Sequence, residues 1–192
     1  MSAELKRRLI TVDEYHRMAE AGILGPHERV ELLRGEIVTV APMGDRHRGA
    51  INRLTRLFSA SFSDVAYVQV QCPIIVSGDS EPEPDLALLR MNEAAIGERH
   101  VDPQDVFAAI EVADSSRRSD YGVKVPLYAE TGIPETWIVD LVAREIVMYR
   151  DLLAGAYGQR RVARAGDAIS FRVFPGISLD AALILGRTAA ND

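Results

Sequence analysis

The sequence predicts a mixed α/β fold, a central β-sheet with two or three helices packed against it. Three observations predict it. Segments of helical period and segments of strand period are interleaved along the chain. Two short apolar runs, at 85–89 and 106–112, are continuous rather than alternating, as in strands buried on both faces. Turn residues separate the segments, as where Gly132 and Pro134 stand between a helical stretch and an apolar one.

In chain order, residues 11–24 predict a helix, with Thr11 as N-cap, Glu14 at the capping-box position and Gly22 near the end. Residues 28–41 predict two strands joined by a tight turn at Arg34-Gly35. Between 45 and 62, Ile51, Leu54, Leu57, Phe58 and Phe62 recur at helical spacing. Residues 65–77 are β-branched and partly alternating and predict a strand, followed by a loop over 78–84. The buried runs at 85–89 and 106–112 come next, then a helix over 117–131 closed by Gly132. Residues 136–141 predict a further buried strand, with 145–150 as its hairpin partner and two short strands between 157 and 177. The expected order is α-β-β-α-β-β-β-α-β-β-β-β.

A chain of 192 residues suits one domain spanning 1–192, with enough apolar surface to fold unstapled. The apolar share of 47% and charged share of 26% are those of a soluble globular protein. No apolar run approaches the roughly 20 residues of a membrane span. The first nine residues are short and charged, so no secretory signal is expected. Cys72 is the sole cysteine and has no intrachain partner, which fits a reducing, cytoplasmic compartment. The net charge of -6 excludes a lysine-coated protein for unselective nucleic-acid binding, but it leaves room for a local basic groove.

Glu111 is the first candidate for chemistry. It interrupts the apolar run Phe107-Ala108-Ala109-Ile110 and is followed by Val112-Ala113. A carboxylate in a buried strand is costly unless it is paired, protonated or bound to a cation. Alternation places Phe107, Ala109, Glu111 and Ala113 on one face, where small neighbours leave room beside it. Asp85, just after Pro84, stands at the mouth of the other buried strand. If the two strands are neighbours, both carboxylates converge on one hard cation. Carboxylates without histidine or cysteine clusters favour magnesium or manganese over zinc. On the following helix Asp120, Lys124 and Tyr128 recur at i, i+4 and i+8 and share a face. A lysine there steadies a phosphate, while the cation lowers the pKa of its water.

Pro84-Asp85, Ile110-Glu111-Val112, Asp120, Lys124, Tyr128, Gly132-Ile133-Pro134-Glu135 and Trp137-Ile138-Val139-Asp140 together resemble the Uma-two family of restriction-endonuclease-like proteins. Upstream, Glu31-Leu32-Leu33, Gly35-Glu36-Ile37-Val38, Pro42 and His47 are similar to the family's N-terminal half. The resemblance covers roughly residues 8 to 180. It implies a PD-(D/E)XK, restriction-endonuclease-like fold and a magnesium- or manganese-dependent endonuclease acting on DNA. It matches Asp85 to the Asp of the PD motif, Glu111 to the acidic residue of (D/E)XK and Glu31 to a helper glutamate. The usual lysine would stand at position 113, which is alanine, so the resemblance implies Lys124 on the next helix instead. The resemblance includes a histidine at the position of His47 and implies a contact with metal or phosphate there.

Each residue has a plainer alternative. Glu111 could be a buried glutamate held by an arginine or an amide, and Asp85 a turn residue after proline. Lys124 could be a solvated lysine paired with Asp120, and Glu31 could pair with Arg29. Tyr128 and His47 could be core-edge residues, and Asp140 a cap. Arg46, Arg48, Arg53 and Arg56 load the remaining faces of the 45–62 helix, either as a solvated face or as a strip tracking phosphates. For the whole chain the rivals to a nuclease are two. One is a nuclease-fold module that binds DNA or protein without cutting, which Ala113 favours. The other is a hydrolase or lyase acting on a small molecule. A homodimer is expected of the nuclease, since duplex cleavage needs one site for each strand.

Overall fold

The computed structural model describes residues 7–25, 27–91 and 97–186. Residues 1–6, on which part of the signal-peptide expectation rests, lie outside the described residues. The elements are α1 (Val12–Glu20), β1 (Val30–Leu33), β2 (Glu36–Thr39), α2 (Asp45–Phe62), β3 (Tyr67–Val70), β4 (Leu86–Leu89) and β5 (Val106–Ala113). Then come α3 (Arg117–Ser119), a π-helical segment (Asp120–Lys124) and α4 (Val125–Glu130). The chain ends with β6 (Thr136–Asp140), β7 (Glu145–Leu153), β8 (Ala156–Ala163), β9 (Ala168–Ile169), β10 (Leu179–Asp180) and α5 (Ala181–Leu185).

Local chemistry sets the N-terminal elements. Thr11 caps α1 in a reciprocal box with Glu14, Glu14 N–H donating to the Thr11 hydroxyl and Thr11 N–H to the Glu14 carboxylate. Arg34 (φ 53°) and Gly35 (φ 74°) turn β1 into β2. Gly35 is required twice over, because a Cβ there would meet the Leu9 Cβ at 2.6 Å.

The main sheet runs β3-β4-β5-β6-β7-β8. All neighbours are antiparallel except β5 and β6, whose parallel pairing requires the crossover that α3, the π segment and α4 supply. One face packs on α2 and α5 through Leu54, Phe58, Phe62, Ile110, Trp137 and Ile184. The other face packs on α4 through Ala87, Ala109, Leu127 and Tyr128, and on the π segment's neighbour Val125 through Ala113 and Ile138. The small residues Ala87, Ala109 and Ala113 therefore line the helix-covered face that also carries Glu111.

The structure departs from the sequence expectations in four places. The strand expected over 65–77 ends at Val70, because Gln71 takes a left-handed conformation (φ 47°) and turns the chain. Phe107 leaves the face of Ala109 and Glu111 to join the α2 side, because the β4–β5 register slips between Leu88 and Leu89. The tail holds one eight-residue strand, β8, besides the short β9 and β10, and ends in α5. The 117–131 helix is wound in three pieces rather than one. Among the described residues no helix is long and apolar enough to cross a membrane.

Candidate active site

The antiparallel register pairs Leu86 with Ile110, which puts Asp85 beside Glu111. Asp85 Oδ2 accepts the Val112 N–H at 2.8 Å, and its Oδ1 lies 2.9 Å from His47 Nε2 and 3.5 Å from the Gln71 amide nitrogen. The conditional adjacency read from the sequence is therefore the arrangement found. His47 comes from the first turn of α2, so the helix on one sheet face contributes to the carboxylate on the strand's edge.

Glu111 is 2% exposed and Lys124 6%. Lys124 Nζ donates to Glu31 Oε1 at 3.0 Å, to the Glu83 carbonyl at 3.2 Å and to Glu111 Oε2 at 3.4 Å. The Tyr128 hydroxyl donates to Glu111 Oε1 at 2.6 Å. Asp120 does not pair with Lys124; its Oδ2 accepts the Ser116 hydroxyl at 2.5 Å. Glu31 reaches the cluster from β1, in the small separate sheet, and Arg29 faces Glu83 at 3.9 Å rather than Glu31. All seven side chains expected from the sequence, Glu31, His47, Asp85, Glu111, Asp120, Lys124 and Tyr128, thus meet in one region. All but the buried Tyr128 line a single cleft.

Three further polar residues of that cleft were not singled out in the sequence: Gln71, Glu83 and Ser116. Glu83 precedes the Pro84-Asp85 pair and read as loop. Ser116 sits four residues before Asp120, the one signal that could have found it. Gln71 carried no signal, because nothing in its side chain announces a left-handed backbone.

The electrostatics follow from crowding. Burial raises the pKa of Glu111 well above its ordinary value; Lys124 opposes this, and Asp120, Asp85 and Glu31 reinforce it. Asp120 is pushed up to about 6, again chiefly by burial. Glu83 is raised by burial and by Glu31. Burial alone would lower Lys124, but Glu111, Glu31 and Asp120 outweigh it and hold the ammonium charged. His47 follows the same pattern, with burial opposed and overcome by Asp85. Tyr128 is driven far above its ordinary value by burial and Glu111, so it stays a hydrogen-bond donor.

Five carboxylates, Glu31, Glu83, Asp85, Glu111 and Asp120, share the cleft with three basic side chains, Lys124, Arg29 and His47. Acids outnumber bases among these side chains, a surplus that a hard divalent cation would offset. The cleft's free space of about 50 Å³ admits a few water-sized particles. Among the described residues no three of the His, Cys, Asp and Glu side chains converge as a ready metal cage. Magnesium does not need one, since it takes one or two carboxylates and completes its shell with water and phosphate oxygens. The donors at Asp85 and Glu111 fit such an ion.

Arg46 donates to the Leu141 carbonyl at 2.8 Å and Arg53 to the Ile184 carbonyl at 3.0 Å, while Arg48 pairs with Asp45. Arg46 and Arg53 thus tie α2 to the rest of the fold, whereas the Arg48–Asp45 pair stays on the exposed face of the helix. Asp140 caps the turn after β6, accepting the Val142 and Ala143 N–H groups, and binds Arg117 at 2.8 Å.

A mixed six-stranded sheet flanked by helices thus carries Glu111, with Asp85 beside it at the mouth of β4 and a buried lysine against them. The Uma2 family, described as "Putative restriction endonuclease", matches residues 12–182, and the chain belongs to that family. The crystal structure of a putative nuclease belonging to DUF820 from Anabaena variabilis superposes with a TM-score of 0.70. It is 12% identical, and the match covers 92% of this chain and 97% of that one. At that identity the likeness speaks for the fold. A comparison with curated proteins finds no match.

Proposed function

We propose that the chain is a magnesium- or manganese-dependent endonuclease that hydrolyses DNA phosphodiester bonds. The observation that carries the reading is the position of Lys124. Position 113 holds no lysine, yet the π-helical segment delivers the Lys124 ammonium to 3.3 Å from Glu111, on the face the missing lysine would occupy. Such π segments recur at functional sites. Membership of a family described as "Putative restriction endonuclease" agrees with it.

In this reading Asp85 and Glu111 hold the cation. The bound ion would lower the pKa of its water and so supply a nucleophile near neutral pH. Asp85 is oriented by Val112 and His47, and Glu111 by Tyr128. Lys124 supplies fixed positive charge where charge develops on the phosphate, and burial makes that charge count for more. Glu31 steadies Lys124. Cleavage of both strands calls for a two-fold dimer, which sedimentation or light scattering checks. The sole cysteine belongs with the cytoplasmic location included in this proposal.

One observation favours a second reading, a nuclease-fold module that binds without cutting. Among the described residues no buried polar side-chain atom lacks a hydrogen-bond partner, so the Lys124 network is self-sufficient as structure. Supercoiled plasmid separates the two. The nuclease reading expects nicked or linear product with wild type in magnesium or manganese and none with Glu111→Ala. Plasmid binding without cleavage under any divalent ion would leave the module.

A further inference from the structure

Beside the carboxylate cleft lies a second one, lined by Ser115, Ser116, Arg118, Ser119, Gly122 and Val123. The two share Ser116, whose hydroxyl is committed to Asp120. The two clefts therefore adjoin at Ser116, on the turn that leads from β5 into α3.

Inside the first cleft each cation is matched to an acid. Lys124 holds Glu31 and Glu111, His47 holds Asp85, and Arg29 faces Glu83. A nucleic-acid strand entering so acidic a cleft needs positive charge at its rim. Arg117 cannot provide it, because its guanidinium is tied to the buried Asp140. Arg118, the next residue, is exposed and makes no hydrogen bond or ion pair with any described residue. A guanidinium with no partner among the described residues, in a cleft that Ser115 and Ser119 also line, offers donors suited to phosphate oxygens.

We propose that Ser115, Arg118 and Ser119 form a subsite for the phosphate adjoining the one that is cut. The proposal rests on the nuclease reading and extends it to how the strand is gripped. Arg118 is a binding residue here and takes no part in holding the cation.

The test is binding of a labelled DNA duplex across a salt series without divalent ion, for wild type, Arg118→Ala, Arg118→Lys and Arg160→Ala. Arg160 is an exposed arginine on β8, the far edge of the sheet, with no hydrogen bond or ion pair from its side chain to a described residue, and controls for net charge. One lost phosphate contact lowers the slope of log affinity against log salt by about 0.9. The expected result is that loss in Arg118→Ala, near wild-type slope in Arg118→Lys and Arg160→Ala, and an unchanged manganese-induced thermal shift in all. A wild-type slope in Arg118→Ala overturns the subsite, and so does an equal fall in Arg160→Ala. A wild type that neither binds nor cuts DNA overturns the nuclease reading itself, and the subsite with it.

Discussion

The Val112 N–H holds Asp85 Oδ2 at 2.8 Å, so the carboxylate that opens β4 is fastened to the strand that carries Glu111. The contact gives Asp85 a structural duty besides its proposed chemical one, and two substitutions separate them. Asp85→Asn keeps an acceptor for Val112 and is expected to fold with near wild-type stability. Asp85→Ala leaves a buried N–H without a partner and is expected to cost about 1–3 kcal/mol in urea unfolding. Both remove the anionic donor, so plasmid cleavage should vanish in both. Cleavage surviving in Asp85→Asn would show that the carboxylate is there only for the fold.

Lys124 is the counter-charge for two buried glutamates. Lys124→Ala is expected to destabilise the protein by about 3–5 kcal/mol, because Glu31 and Glu111 lose their shared cation. Manganese should recover part of that loss in the variant, read as a rise in the urea midpoint. A cost below about 1 kcal/mol would mean that water already reaches the cluster.

The Tyr128 hydroxyl fixes Glu111 Oε1, and Phe fits the same space without the donor. Tyr128→Phe should cost about 1–3 kcal/mol. It should also weaken manganese binding by about 10–100-fold, as losing an orienting partner of a ligand does. Calorimetric titration checks this. Unchanged affinity would mean that Glu111 is oriented by Lys124 alone.

The fold was legible where chemistry is local. The capping box of Thr11 and Glu14, the Arg34-Gly35 turn and the stripe of Ile51, Leu54 and Phe58 each write their element into a few adjacent residues. Part of the candidate site was legible because burying Glu111 demands an explanation and because Asp120, Lys124 and Tyr128 repeat at one spacing, whereas Glu31 and His47 came only with the family resemblance. That spacing does not distinguish α from π winding, so the π segment was not foreseen. The Glu31–Lys124 bond spans 93 residues, and no local pattern encodes it. Gln71 and the slip that turns Phe107 away are decided by strand packing, which overrides alternation.

Asp120 gives stability a definite pH dependence. Its carboxyl is raised from 3.8 to about 6 in the folded state. The stability this contributes is fully present below pH 3.8 and is lost as pH rises through about 6. Asp120→Asn has no such loss. It should match wild type below about pH 4 and exceed it by about 1–3 kcal/mol at pH 7 without metal. Urea titrations at the two pH values check the sign; a variant less stable than wild type at pH 7 would reverse it.

Manganese binding tests the central claim most directly, that Asp85 and Glu111 form a divalent-cation site. Free manganese can be counted by electron paramagnetic resonance during titration of wild type, Asp85→Asn and Glu111→Gln. The site predicts saturable binding by wild type and loss of that binding in both variants. Wild type that leaves the manganese signal unchanged, or variants that bind as wild type does, would contradict it.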